Sequence, residues 1–194
     1  MSEATVSLLE RLKSRTEDSS VWRTFHDIYT PLIRSWLLRQ GIRRQDATTV
    51  VEKVLEDVER KIAKFAPKQH GKFHAWMREI VRSCLRKCCR DGDMQSFTSD
   101  NADIAMVLEQ LQDPESDLCK AWELEHDTFV MNRLLEHVKP EFRTDTWAAF
   151  RRLSMDQEDP DKIARRLGMS LSDVFTSRSA VLHRVHEIGD GMLD

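Results

Sequence analysis

Apolar residues recur three and four positions apart along most of the chain, which is the spacing of a buried face on an α-helix. The pattern predicts helices over residues 5–12, 19–41, 46–65, 71–90, 116–138 and 141–153. The alternation typical of strands is scarce, and the 194 residues include only six Gly and five Pro. The sequence therefore predicts an all-α protein, long enough for one large or two small domains.

Local signals refine where these helices begin, end and pack. Ser19 or Ser20 suits the N-cap of the second helix, and Gly41 suits the position beyond its end. Pro31 is expected to kink or divide that helix, because proline lacks an amide hydrogen and crowds the preceding turn. In the helix over 116–138, the residues expected to be buried are Leu118, Trp122, Leu124, Phe129, Met131, Leu134, Leu135 and Val138.

The stretch 71–90 has two contrasting faces. Its apolar residues share one side of the predicted helix, whereas Arg78, Arg82, Arg86 and Arg90 recur every four residues on the other. Six Lys or Arg and a single acid lie in this stretch, although the whole chain has a net charge of -3. The basic row is suited to a polyanion, or it forms a solvated helix face.

An acidic segment follows the basic one. Residues 91–127 contain eleven of the 33 acids of the chain and one base, Lys120. Gly, Ser and Pro are scattered through its first part, so residues 91–115 are predicted to be a mobile acidic linker that like charges keep extended. The linker divides the chain into predicted helical domains over 1–90 and 116–194.

The second domain contains the spacing of a helix–turn–helix. Ala164 allows two helices to cross closely, Gly168 permits the positive φ of a tight turn, and Val174 anchors the second helix. Ser170 is a suitable N-cap for that helix, and Ser177 is a polar residue at an inward position. The pattern predicts DNA binding, with a simple helical hairpin as the alternative.

Several stretches, in this order, resemble an extracytoplasmic-function sigma factor of the sigma-70 family, particularly its planctomycete-type members. They are SLLERLK, WRTFHDIYTPLIRSWLLRQG, DATTVVEKVL, GKFHAWMREIVRSCLRK, VKPEFRTDTWAAFRR and IARRLGMSLSDVFTSRSAVLHRV. The resemblance implies a region-2 bundle and a region-4 helix–turn–helix domain. It also implies a function: to bind core RNA polymerase, recognise the -10 and -35 promoter elements, and help to initiate transcription.

The resemblance also implies three sets of site residues. The set expected to bind core polymerase lies on the helix over 46–65 and comprises Asp46, Thr49, Glu52, Lys53, Glu56 and Asp57. The set expected at the single strand of the -10 element comprises Lys72, Arg78, Arg82, Ser83, Arg86, Lys87 and Arg90. At the -35 element, Ser172, Asp173, Thr176, Ser177 and Arg178 are expected nearest the bases, with Arg165, Arg166 and Arg184 nearer phosphate.

The chain departs from the family pattern at three positions. Lys53 replaces a carboxylate that members commonly carry on the polymerase-binding helix, Ser83 replaces an Asn, and Ala180 replaces a basic residue. Lys53 is expected either to weaken binding to a standard polymerase or to match a compensating change in the partner. The other two changes reduce polar contacts to DNA and imply a weak or unusual promoter preference. Two alternatives stay open: a sigma-derived regulator that binds DNA or protein without directing initiation, and an inhibitor-like scaffold that uses the acidic segment.

Other chemistries are disfavoured by the sequence. No phosphate-binding loop, nucleophile elbow or carboxylate pair is visible, so neither an enzyme nor a cofactor is expected. Cys84, Cys88, Cys89 and Cys119 lack the spacing of a zinc site. Cys89 is expected to be an inert surface residue, with a redox-sensing thiolate beside the arginines as the alternative hypothesis. Without a leader or a long apolar run, a cytoplasmic protein with no membrane association is expected, with an anti-sigma factor as a further possible partner.

Overall fold

The computed structural model describes residues 7–14, 19–66, 72–92, 94 and 101–193, which form nine α-helices and no strand. The helices are α1 (Leu8–Lys13), α2 (Ser19–Arg39), α3 (Arg44–Lys61), α4 (Phe73–Asp91), α5 (Asn101–Gln110), α6 (Asp117–Val138), α7 (Thr144–Ser154), α8 (Pro160–Leu167) and α9 (Leu171–Gly189). Short 3-10 turns follow α3 at Ile62–Lys64 and α6 at Lys139–Glu141. The all-α prediction is confirmed. Within the described ranges, every helix is too short or too polar to cross a bilayer.

The chain forms two compact units, and the boundary between them falls inside α6. The N-terminal unit comprises Leu8–Val130 with residues 191–193, and the C-terminal unit comprises Met131–Asp190 with Ser7. The predicted linker over 91–115 does not coincide with this boundary, because residues 101–110 are helical and the first half of α6 belongs to the N-terminal unit. Residues 95–100 of that linker, together with Thr5 and Gly71, lie outside the described residues.

An aromatic core explains why the first half of α6 belongs to the N-terminal unit. The ring of Trp122 on α6 packs edge-on against that of Trp36 on α2, with centroids 5.2 Å apart. Both side chains are almost fully buried. Leu124, expected to be buried, is instead 71% exposed, since its position on α6 faces away from this core.

Helix α2 runs unbroken from Ser19 to Arg39 with Pro31 inside it, so the predicted division of this helix is wrong. Tertiary packing accounts for the difference, because Ile28, Tyr29, Leu32 and Ile33 on either side of the proline are all buried. Gly41 has a φ of +81° beyond the end of the helix, as its C-cap prediction required.

In the C-terminal unit, helices α7, α8 and α9 pack around Ala149, Ile163 and Val174. Leu153, Ala164, Leu167 and Met169 surround these three residues. Each of the three helices contributes one buried apolar residue to this core. This core therefore positions the exposed face of α9.

Candidate nucleic-acid and polymerase interfaces

The apolar side of helix α4 is buried, as the sequence predicted. Phe73, Met77, Val81, Leu85 and Cys88 are buried at helical spacing, and Gly92 ends the helix with a φ of 74°. The φ of Gly92 lies in the left-handed region, where a side chain would be strained. One face of α4 is therefore committed to the core, and only the remaining face is available for a ligand.

The basic row on the other side of α4 is not uniformly exposed. The side chain of Arg78 is only 8% exposed and that of Arg82 only 17% exposed. By contrast, Arg86 and Arg90 near the C-terminal end of the helix are exposed. The expectation that Arg78 lies on the exposed side of the helix is therefore wrong. Of the other expected -10 residues, Lys72 and Lys87 are exposed and Ser83 is half-buried.

Residues that follow α4 in the sequence cover the first half of the basic row. Glu123 on α6 lies with Oε1 3.7 Å from Nη1 of Arg78 and 3.3 Å from Nε2 of His74. Nη1 of Arg82 donates to Gln112, in the turn between α5 and α6, at 3.2 Å. The Trp122 indole donates to the carbonyl of His74 at 3.0 Å. In this conformation Arg78 cannot reach a phosphate.

A cluster that the sequence did not reveal lies beside these contacts. His74 on α4 is buried, His126 on α6 is fully buried, and Asp127 is partly exposed. Nδ1 of His126 lies 2.9 Å from Oδ1 of Asp127, and its Nε2 lies 3.1 Å from the hydroxyl of Tyr29. The hydrogen bond with His126 and the nearby charges lower the pKa of Asp127. His74 and His126 are 52 residues apart in the sequence, so spacing alone gives no signal.

The expected polymerase-binding set on α3 divides into exposed and buried members. Glu52 and Glu56 are exposed, and Thr49 and Lys53 are half-buried. Asp46 and Asp57 are buried, which corrects the expectation that they lie on the surface that faces the polymerase. Asp57 is held by Arg60 and Lys61, with Lys87 of α4 3.8 Å away. Although burial opposes the shift, the hydrogen bond from Lys61 and these charges lower its pKa.

The thiol of Cys89 is not activated, contrary to the redox hypothesis. Burial and the neighbouring Cys88 raise its pKa to about 11, and burial raises the pKa of Cys84 to about 12. A protonated thiol is a poor nucleophile. Desolvation by burial is the largest contribution to this pKa, and it outweighs any effect of the basic row.

We expect Cys89 to react with iodoacetamide at pH 7.5 more slowly than a free thiol of ordinary pKa. The rate should keep rising with pH through pH 10, because the thiolate fraction has not yet reached one half there. Labelling followed by mass spectrometry of the peptide measures this rate. A rate that levels off near pH 8 would show that the thiol is activated.

Helices α8 and α9 form the predicted helix–turn–helix. Asp159 caps α8 by accepting from the amide of Lys162 at 3.1 Å, and Gly168 has a φ of 65° in the turn. Ser170 and Asp173 form a reciprocal capping box at the start of α9. Ser177 is buried, and its hydroxyl donates to the carbonyl of Asp173 at 2.7 Å. Ser177 is thus satisfied inside the helix and does not lie on its outer face.

Some of the residues expected to contact the -35 element already pair with other residues of the protein, whereas others are exposed. Arg184 pairs with Glu141 at 2.6 Å, Arg166 pairs with Glu158 at 3.1 Å, and Nε of Arg165 donates to the Asp161 carbonyl at 3.2 Å. Asp173 is engaged in the capping box. The exposed face of α9 includes Ser172, Thr176 and Arg178, together with Phe175, which is 47% exposed and was not among the predicted contacts.

Arg178 and Arg184 allow a matched test of this face. Because Arg178 is exposed and Arg184 is held by Glu141, we expect Arg178→Ala to weaken duplex DNA binding about tenfold, which corresponds to one lost contact. Arg184→Ala should change DNA affinity by less than about twofold and act on stability instead. Fluorescence anisotropy with a labelled promoter duplex measures both. Equal losses in the two variants would contradict this assignment of the face.

Comparison of the chain with protein-family models, with curated proteins and with solved structures gives no match.

Proposed function

We propose that the protein is a sigma factor that binds core RNA polymerase and directs promoter recognition and transcription initiation. The observation that carries the proposal is the helix–turn–helix, in which a capped α9 presents Ser172, Thr176 and Arg178 outward. A helix presented in this way suits the width of the major groove. In this function α9 reads the -35 element, in the cytoplasm, and the protein itself catalyses no reaction.

The exposed end of α4 supports the second half of the proposal. Arg86, Lys87 and Arg90 offer three cations along one edge of the helix, which suits the phosphates of a single strand at the -10 element. Arg78 and Arg82 join them only after Glu123 and Gln112 separate from them. Strand capture in this scheme therefore includes a rearrangement of the segment from α5 to the first half of α6.

Binding to core polymerase is proposed for the exposed carboxylates of α3. Glu52 and Glu56 are one helical turn apart and exposed, with Lys53 beside them. Asp46 and Asp57 are buried and are not included in this surface. The test is co-elution with the cognate core enzyme, in which Glu52→Lys with Glu56→Lys should abolish the complex. Unchanged co-elution of that variant would place the polymerase surface elsewhere.

A sigma-derived regulator that does not direct initiation is the second candidate. It is favoured by the burial of Arg78, which removes one expected strand contact, and by Lys53 at the partner surface. Such a protein would bind promoter duplex through α9 without forming a complex with core polymerase. The same co-elution experiment separates the two functions, since only the sigma factor requires the core enzyme.

A further inference from the structure

Two imidazoles and a carboxylate converge where α4 meets α6. One potential ligand atom from each of His74, His126 and Asp127 lies within 4.8 Å of the others. Both imidazoles are buried, whereas the side chain of Asp127 is 39% exposed and gives the cluster an edge that solvent reaches. A zinc ion with bonds of about 2.1 Å holds its tetrahedral ligand atoms about 3.4 Å apart. Small rotamer changes can bring the three atoms to that separation.

Tyr29 allows the cluster to remain hydrogen-bonded with or without an ion. Without an ion, Nδ1–H of His126 donates to Asp127, because an ionised carboxylate can only accept, and Nε2 shares a hydrogen bond with the Tyr29 hydroxyl. With one, the ion replaces the proton between Nδ1 and the carboxylate, and Nε2–H donates to the Tyr29 oxygen. A phenol hydroxyl can both donate and accept a hydrogen bond, so Tyr29 can serve both arrangements. A hydrogen bond to the second nitrogen is what metal-binding histidines generally have.

The charges and donor atoms of the cluster determine which class of metal ion it can bind. Glu123 faces Arg78 and His74, so its negative charge is partly compensated by the guanidinium. The donor set consists of two imidazole nitrogens and one carboxylate oxygen. Imidazole nitrogens favour zinc and neighbouring transition metals over calcium or magnesium, and three protein ligands leave one position for water or for Glu123.

We propose that His74, His126 and Asp127 form a binding site for a divalent transition-metal ion, with zinc as its main occupant. The ion joins α4 to α6, two helices that are distant in sequence. It holds Glu123 against Arg78 and so stabilises the covered state of the first two arginines. The site does not depend on the proposed function, since it is defined by donor atoms alone.

The test is titration of the purified, metal-stripped chain with zinc, followed by calorimetry, and with cobalt, followed by its visible absorption. We expect one ion per chain, a cobalt spectrum typical of tetrahedral nitrogen and oxygen ligands, and a higher melting temperature with zinc. Affinity should fall about tenfold or more from pH 7.5 to pH 5.5, because protons compete for the imidazoles. Absence of binding at a 1:1 ratio would overturn the proposal.

Variants locate the ion. Asp127→Asn and His74→Gln should each weaken zinc binding about 100-fold, and Tyr29→Phe about tenfold, since it removes only the supporting hydrogen bond. The matched control is His183→Gln with His186→Gln, an exposed pair on α9 where a loose ion could bind. Circular dichroism verifies that each variant is folded. Binding that is lost in the control pair or after cysteine alkylation, but retained in Asp127→Asn, would overturn the proposal.

Discussion

Replacement of both Arg86 and Arg90 by glutamate is expected to reduce affinity for a single-stranded promoter oligonucleotide by at least tenfold at about 100 mM salt. Both side chains are exposed on α4, and Arg90 is 2.9 Å from Asp91 at the end of the helix. Each replacement removes a phosphate contact and adds repulsion. The slope of log affinity against log salt should fall by about 1.4, at roughly 0.7 per phosphate for a single strand.

A second double variant separates a local contact from the effect of net charge. Arg23→Glu with Arg34→Glu changes the charge by the same amount at exposed positions of α2. It should leave the salt slope unchanged and lower affinity much less. Anisotropy titrations between about 50 and 200 mM salt measure both variants. If the slopes of the two variants fell equally, the end of α4 would not be the strand-binding surface.

Trp122→Ala is expected to destabilise the N-terminal unit by about 3–5 kcal/mol. Trp122 is 1% exposed, packs edge-on against Trp36 and donates to the carbonyl of His74. Its loss leaves a cavity between α2 and α6 and removes the donor from a buried carbonyl, and both effects favour unfolding. Urea unfolding followed by circular dichroism measures the change.

Leu124→Ala is the matched control for Trp122→Ala. It lies two residues further along the same helix, but Leu124 is 71% exposed. Its replacement should change stability by less than about 0.5 kcal/mol. Near-equal effects of the two substitutions would show that the first half of α6 does not pack on the N-terminal unit as described.

Period and capping signals predicted most of the helices because they depend on neighbouring residues, although α5 lies in the segment that was predicted to be a linker. The helix–turn–helix is an example, since Gly168, Ser170 and Asp173 act within a few positions of one another. The apolar face of α4 is another example, because apolar residues at consistent spacing over four turns define a single side of the helix that can be buried. The continuous α2 shows the limit of a local rule, because packing on both sides of Pro31 outweighs the lost hydrogen bond.

The candidate sites were less predictable because their state depends on distant segments. Arg78 has the spacing of an exposed residue, yet it is buried with Glu123 of α6 beside it. Arg184 and Glu141 are 43 residues apart, so the local sequence pattern gives no signal that they pair. Charge counts identified a basic face on α4 and an acidic segment after it. They could not specify that the first half of α6 lies on the basic face.

Run-off transcription with the cognate core RNA polymerase and a library of promoter sequences tests the central proposal most directly. We expect transcripts that depend on this protein and start at defined sites. The Arg86→Glu and Arg90→Glu double variant should abolish these transcripts, whereas the Arg23→Glu and Arg34→Glu double variant should not. Absence of any protein-dependent transcript, together with absence of a complex with core polymerase, would contradict the proposal that the protein is a sigma factor.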